Sequence, residues 1–384
     1  MKRAALFALL TACSLPPIQQ EEAVLNPLPL PNQGVRVTDQ DIDEPEIDGP
    51  RGPTGVTGPS AATGTSGPTG MTGPTAATYS ATCDGSAGVA LNDGYFLNFN
   101  DEDQRALAYE RGKNGGPVST VDFTNDLALA PGEEADIEDA TRVSGRIYVI
   151  TSHGRNSDGK LRRARHRFFA IDVDETTLSF AGMTQALLDN MLDSANWTAP
   201  DASLLQILKD ASRLDKATVA KLAPEKEGIN IEGLAAWPSA QHPNRLAIGL
   251  RNPRWNNAAI VVTLLNPDEV VTGATAKFGQ AHALDLGGLG IRSLTAQDGG
   301  LFVLAGPSDG ASGPFSVYTW DGVSAATALV ALPQSEGSPE ALLLYEGTRY
   351  LQVLVDQGDK SVGGVVCKDA ATNDRSFSDV VVSY

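Results

Sequence analysis

The chain has 384 residues, 41% of them hydrophobic, with 47 aspartates and glutamates against 29 lysines and arginines, a formal net charge of −18. Sustained nucleic-acid binding is excluded by that balance, because neutralising phosphates takes a surplus of Lys and Arg. Acidity of this degree favours cations and solubility instead.

The first residues, Met1-Lys2-Arg3, lead into the apolar run Ala4 to Leu10 and then Leu10-Thr11-Ala12-Cys13. A positive start, a greasy middle and small residues before a cleavage point make a secretory signal, and a cysteine directly after the small residues makes it a lipobox. Residues 1–12 therefore read as a lipoprotein signal peptide and Cys13 as the lipidated N-terminus of the mature chain, anchored by acyl chains in the bilayer. Ser14 follows, with no aspartate to signal inner-membrane retention. The expected place is the bacterial cell envelope, extracytoplasmic, at the outer membrane or its periplasmic face. No later stretch approaches the ~20 apolar residues of a membrane span.

Residues 13–78 read as a disordered tether, since they lack the periodic apolar pattern that builds a core. An acidic run from Asp39 to Asp48 is followed by a collagen-like tract with glycine at every third position from Gly49 to Gly73, interrupted by Ala61 and ending in phase at Ala76. Glycine at that period suits three polyproline-type chains meeting on an axis. Two short blocks suit an extended spacer better than a trimer stalk.

From 79 to 384 the character changes to short β-rich runs separated by Gly, Asn, Asp and Pro, an all-β signature. The runs repeat. Asp136 to Ala140 precedes the strands Arg146–Ile150 and Arg167–Val173; Asn230 to Leu234 precedes Arg245–Leu250 and Ala258–Leu265. Gly290 to Leu294 precedes Leu301–Leu304 and Phe315–Trp320, Ser338 to Leu342 precedes Tyr350–Val355, and a weaker copy opens with Val89 and Tyr95–Phe99. Copies about 48 to 60 residues apart predict a β-propeller of about five or six blades. The copy lengthened by residues 183–222 carries leucines at helical spacing, which predicts a small helical insertion that packs on the rim or covers a site. With Cys13 lipidated, Cys83 and Cys367 remain as a candidate disulfide flanking the domain, in an oxidising compartment that permits it; two separate buried thiols are the alternative.

In a propeller, a residue repeated at one point of each blade converges on the axis. Glu138, Glu232 and Glu340 would form part of a ring with Arg292, which either holds a hard cation such as Ca²⁺ or is neutralised by the arginine as an internal ion network. The turns after the second strands should project Asp101, Glu102, His153, Arg155, Arg251, Asn252, Asp309 and Asp356 on one polar face, with His153 as a candidate base. The Lys160 to Arg167 cluster is either an anion site or a solvated outer strand.

The segments Phe99 to Asp103, Ile150 to Arg155, Ile231 to Leu234, Leu250 to Pro253, Leu284 to Ser293 and Pro339 to Leu342 resemble the bacterial domain of unknown function 3616. That resemblance implies a propeller-like fold. The Glu-Gly-Leu signature is more distantly similar to the esterase-like phytase propellers, which implies phosphoester hydrolysis by analogy alone. Asp139 stands where the pattern has glycine, and Arg292 where it has the acid.

These observations lead to the expectation of a membrane-tethered, extracytoplasmic binding module for a small molecule, glycan or protein. The alternative is a cation-assisted phosphoesterase with Glu138, Glu232 and Glu340 as ligands and Arg155 and Arg251 as anion clamps. No nucleophile elbow, P-loop or dinucleotide fingerprint is present.

Overall fold

A computed structural model describes residues 73–384, except 175–176, together with a two-residue strand Ala23–Val24. The signal peptide, Cys13 and the tether expected over 13–78, apart from Ala23–Val24 and its last residues from 73 on, lie outside the described residues.

Five antiparallel sheets make five blades. Blade one runs Ala87–Ala90, Tyr95–Phe99, Arg105–Glu110 and Ser119–Asp122; blade two runs Ile137–Val143, Arg146–Thr151, Phe168–Asp174 and Thr177–Thr184, with Ala23–Val24 on its outer edge. Blade three is Asn230–Ala236, Leu246–Trp255, Ala258–Leu264 and Phe278–Leu284, and blade four is Gly290–Gln297, Gly300–Gly306, Ser316–Trp320 and Thr327–Ala331. Blade five takes Ser338–Leu344, Tyr350–Asp356 and Ser376–Ser383 from the end of the chain and its outermost strand, Thr78–Ser80, from the beginning. The first strand of each blade packs against the first strand of the next, all the way round. Helices are few, and none among the described residues is long and apolar enough to cross a membrane.

Alternation along the second strands builds the core. In blade two, Ile147 and Val149 face blade one while Tyr148 and Ile150 face blade three, as a period of two requires. The buried apolar residues consequently fall into five clusters, one in each seam between blades. Close approach of the sheets demands small residues at the axis: a Cβ on Gly233 would stand 2.8 Å from Ile291 Cγ2 and 2.9 Å from Leu294 Cγ.

The insertion folds as helix α1, Leu187–Met191, and helix α2, Ala202–Ser212, the latter capped by Asp201, whose carboxylate accepts from the amides of Ser203 and Leu204. Leu187, Leu188, Met191, Leu204, Leu205 and Leu208 are buried with residues of blades two and three. The helices thus fill the seam between those blades rather than covering an opening.

The ring is locked where its two ends meet. Tyr79, on the closing strand, is fully buried; its hydroxyl donates to Asp379 at 2.8 Å, and Gln352 links Asp379 to Arg111. Close by, a disulfide joins Cys83 to Cys367 across 284 residues of chain. Cross-links over long loops restrict the unfolded ensemble strongly. Replacing both cysteines with serine is therefore expected to lower unfolding stability by about 2–5 kcal/mol. Urea titration of the oxidised protein and the double variant measures this, and a change below about 1 kcal/mol would mean that strand pairing alone closes the ring.

Candidate functional site: an acidic well at the mouth of the ring

Four blades carry the same local irregularity. The pairing of first and second strands skips one residue at Glu138, Glu232, Arg292 and Glu340. A bulge of this kind takes a side chain out of the alternation and re-aims it. Here it sends the repeated residue to the end of the ring where the first strands begin. Blade one pairs without a bulge and contributes Asp84 and Asp101 instead.

Glu138, Glu232 and Glu340 line a cavity of about 610 Å³ with Asp84, Asp101, Glu102, Asp136, Asn230, Arg251 and Asp356. Twelve carboxylates line it against five cationic side chains, so its field is negative and draws cations. Part of that charge is balanced internally. Arg251 Nη1 lies 2.9 Å from Glu232 Oε1, Arg292 Nη1 lies 3.0 Å from Glu232 Oε2, and Arg292 Nη2 pairs with Glu340. This row of alternating charges forms one wall; Asp136, paired with Arg165 at 2.8 Å and bonded to Ser152, belongs to another.

Arg165 also pairs with Glu134, and Lys368 with Glu102 and Asp359, whereas Asp84, Asp101, Glu138 and Asp356 are not balanced by an ion pair among the described residues. Glu138 is half-buried and has no ion-pair partner among the described residues; burial, then the charges of Glu232 and Asp136, hold its carboxyl well above the usual range. Burial, then Asp84 and Asp356, do the same to Asp101. The carboxyls of Asp84 and Asp356 are both raised, first by burial and then by a neighbouring acid, Glu102 for Asp84 and Glu340 for Asp356. Burial, opposed by Arg292, pushes Glu340 up to about 7. Three buried atoms of this lining have no partner: two acceptors, Asp101 Oδ1 and Asn230 Oδ1, and one donor, Arg165 Nε, whose guanidinium is already paired with Glu134 and Asp136. The orientation of Asn230 is fixed because its amide nitrogen donates to Glu232 at 2.5 Å. A carboxylate at that position can only accept.

Raised carboxyl values mean that the folded state holds protons the unfolded chain releases, so stability falls as pH climbs from the ordinary carboxylate range through about 7, the value of Glu340. Glu138→Gln and Asp101→Asn should each raise Tm at pH 8 and change it little at pH 5. Calorimetric melting at the two pH values tests this; a loss of Tm at pH 8 would make these acids structural members.

The polar face expected from the turns divides. Asp101, Glu102, Arg251 and Asp356 line the well. His153 does not: it is 2% exposed, bonded through Nδ1 to the Thr151 carbonyl, and lies beside the buried His166. Burial lowers its pKa to about 4, so the candidate base is a neutral interior residue. Arg155 is no anion clamp, because its guanidinium donates to the carbonyls of Gly159, Ser212, Arg213 and Lys216 and so terminates α2. Asn252 ties the Pro224 and Ser308 carbonyls together, and Asp309 caps the Ala311 amide on the exposed surface. The basic cluster is also dispersed: Arg162 and Arg165 reach the well, whereas Arg167 is 4% exposed and satisfied by backbone carbonyls. Of the repeated residues, Glu232, Arg292 and Glu340 form an ion network; among the described residues no three His, Cys, Asp or Glu side chains are grouped around one point.

Sequence reasoning did not place Asp84, Asp136 or Asn230 at the site, although Asp84 follows Cys83, and Asp136 and Asn230 open repeats two residues ahead of Glu138 and Glu232. It also missed the role of Asp139. This carboxylate is 1% exposed and accepts from the amides of Leu234 at 2.7 Å and Leu294 at 3.1 Å and from the Ser293 hydroxyl. It joins blades two, three and four beneath the well.

A family model described as protein of unknown function DUF3616 matches residues 116–376. No curated protein matches the sequence. Among solved structures, the glutaminyl cyclase of Myxococcus xanthus is similar at 8% identity and a TM-score of 0.40, over 81% of this chain and all of that one. The β-xylosidase RS223 is similar at 12% identity and a TM-score of 0.39, over 78% and 92%. Neither likeness carries an inference about chemistry.

Proposed function

The chain belongs to the DUF3616 family, and we propose that this member is an extracytoplasmic binding module, tethered through lipidated Cys13, whose acidic well takes a positively charged ligand rich in N–H donors. The observation that carries the reading is the mismatch inside the well: acceptors without donors at Asp101 and Asn230, and Glu138 facing the cavity without a cation. A buried acceptor left unpaired costs about 1–3 kcal/mol, which an ammonium or guanidinium group would recover on binding. A phosphoester fits poorly, because the two arginines expected to clamp it are engaged by Glu232 and by backbone carbonyls. Ca²⁺ fits less well than an organic cation, since Glu232 and Glu340 already share Arg292.

Calorimetric titration of the Cys13→Ser chain with ethylenediamine, guanidinium and Ca²⁺ tests the ligand class. Binding of the organic cations, weakened at least tenfold by Glu138→Gln, is the expected result. Heat with Ca²⁺ alone would replace the reading with a metal site, and no heat with any probe would sink it. The anchor has its own test. Palmitate label and membrane fractionation should both be lost in Cys13→Ala, and a protein that stays unlabelled as wild type is not a lipoprotein.

A further inference from the structure

A second cavity of about 960 Å³ opens between blades four and five, walled by residues 310–315, 332–338, 356–357 and 359–361. It shares Asp356 and Asp359 with the acidic well, so those two residues border both spaces. Their chemistry differs. Pro314, Phe315, Leu332 and Pro333 give the second cavity an apolar wall, with Phe315 and Leu332 only partly buried. Its one cation, Lys360, is paired with Glu336 at 3.0 Å. One space therefore holds uncompensated acceptors, and its neighbour adds unfilled apolar surface beside the carboxylates the two share.

We infer that the well and this cavity are two halves of one site for a primary amine with an apolar body, the ammonium seated among Glu138, Asp101 and Asn230 and the body passing Asp356 to lie along Phe315 and Leu332. The inference rests on the cationic reading of the well and adds the second half of the ligand. An ammonium satisfies three acceptors at once, while each methylene moved from water onto an apolar wall strengthens binding by about fourfold. Neither half alone would select such a molecule; inorganic cations have no body and neutral hydrocarbons have no head.

Calorimetric titration of the Cys13→Ser chain with methylammonium, butylammonium and hexylammonium separates the two ideas. Affinity should rise at least tenfold from butylammonium to hexylammonium, and Ser312→Arg, an exposed position on the second cavity, should bring hexylammonium down to the methylammonium level. Phe315→Ala should weaken hexylammonium about tenfold without touching methylammonium. Because Phe315 packs on Gly306, Ser312→Arg serves as the check where Phe315→Ala fails to fold. Glu138→Gln should weaken every member of the series. Equal affinities along the series, all sensitive to Glu138→Gln, would overturn the extended site and leave the well intact. Absence of binding by any amine would overturn both.

Discussion

Replacing Arg292 with alanine is expected to lower unfolding stability by about 3–5 kcal/mol, the usual cost of removing one partner of a buried ion pair. Its side chain is 4% exposed and holds Glu232 on one side and Glu340 on the other. Truncation leaves Glu340 buried without a cation and Glu232 with Arg251 alone. Two controls separate this cause from lost packing. Glu340→Gln in the Arg292→Ala background should recover part of the loss, and the penalty should shrink at pH 5, where Glu340, whose pKa is about 7, is protonated. Arg251→Ala should cost less, since it leaves Glu232 paired with Arg292. Urea unfolding at pH 5 and pH 8 provides the measurement, and an Arg292→Ala loss below about 1 kcal/mol would show that water, not the arginine, balances these acids.

Asp139→Ala is expected to be of similar size. The substitution strips acceptors from the buried amides of Leu234, Leu294 and Ala140 and from the Ser293 hydroxyl. At about 1–3 kcal/mol for each group left unsatisfied, and with some relaxation, the total loss is about 3–5 kcal/mol. Asp139→Asn keeps one acceptor oxygen and should lose less than half as much. Hydrogen exchange gives the sharper readout: the Leu234 and Leu294 amides should exchange much faster in the alanine variant. Unchanged protection there would mean that these amides do not depend on Asp139.

Most of the ring was legible in the sequence because short apolar runs recur in each blade and the structure buries them almost continuously. The outer strands were not. Ser119–Asp122 and Thr327–Ala331 are largely exposed and leave almost no apolar signal, and of the closing strand only Tyr79 is fully buried, so its first residue, Thr78, reads as tether. Glu138, Glu232, Arg292 and Glu340 share one bulged position in their blades, as they share one place in the repeat, since a bulge at a fixed register converges whatever the residue type. His153 and Arg155 occupy the corresponding turn in blade two but are buried beneath the insertion. Whether a polar turn residue meets solvent or a helix end depends on packing from distant parts of the chain, which no local pattern records. Asp139 escaped notice for the converse reason. A carboxylate in place of glycine looked like a departure from a motif, whereas its partners are backbone amides of two other blades.

The closing strand and the disulfide also decide how the domain bears a mechanical load. A pull transmitted through the residues just ahead of Ala77 falls on its bond to Asp379 and on Thr78–Ser80, which is held along Ser376–Ser378 by three paired positions, a contact short enough to peel. Peeling can run no further than Cys83, three residues beyond the strand, where the force passes through sulfur to Cys367 and into the opposite end of the chain. Asp84 and Lys368 are the next residues along each strand of that cross-link and both line the well. The covalent stop therefore lies between the line of tension and the site, so that a tugged domain would lose its seam before its cavity changed shape.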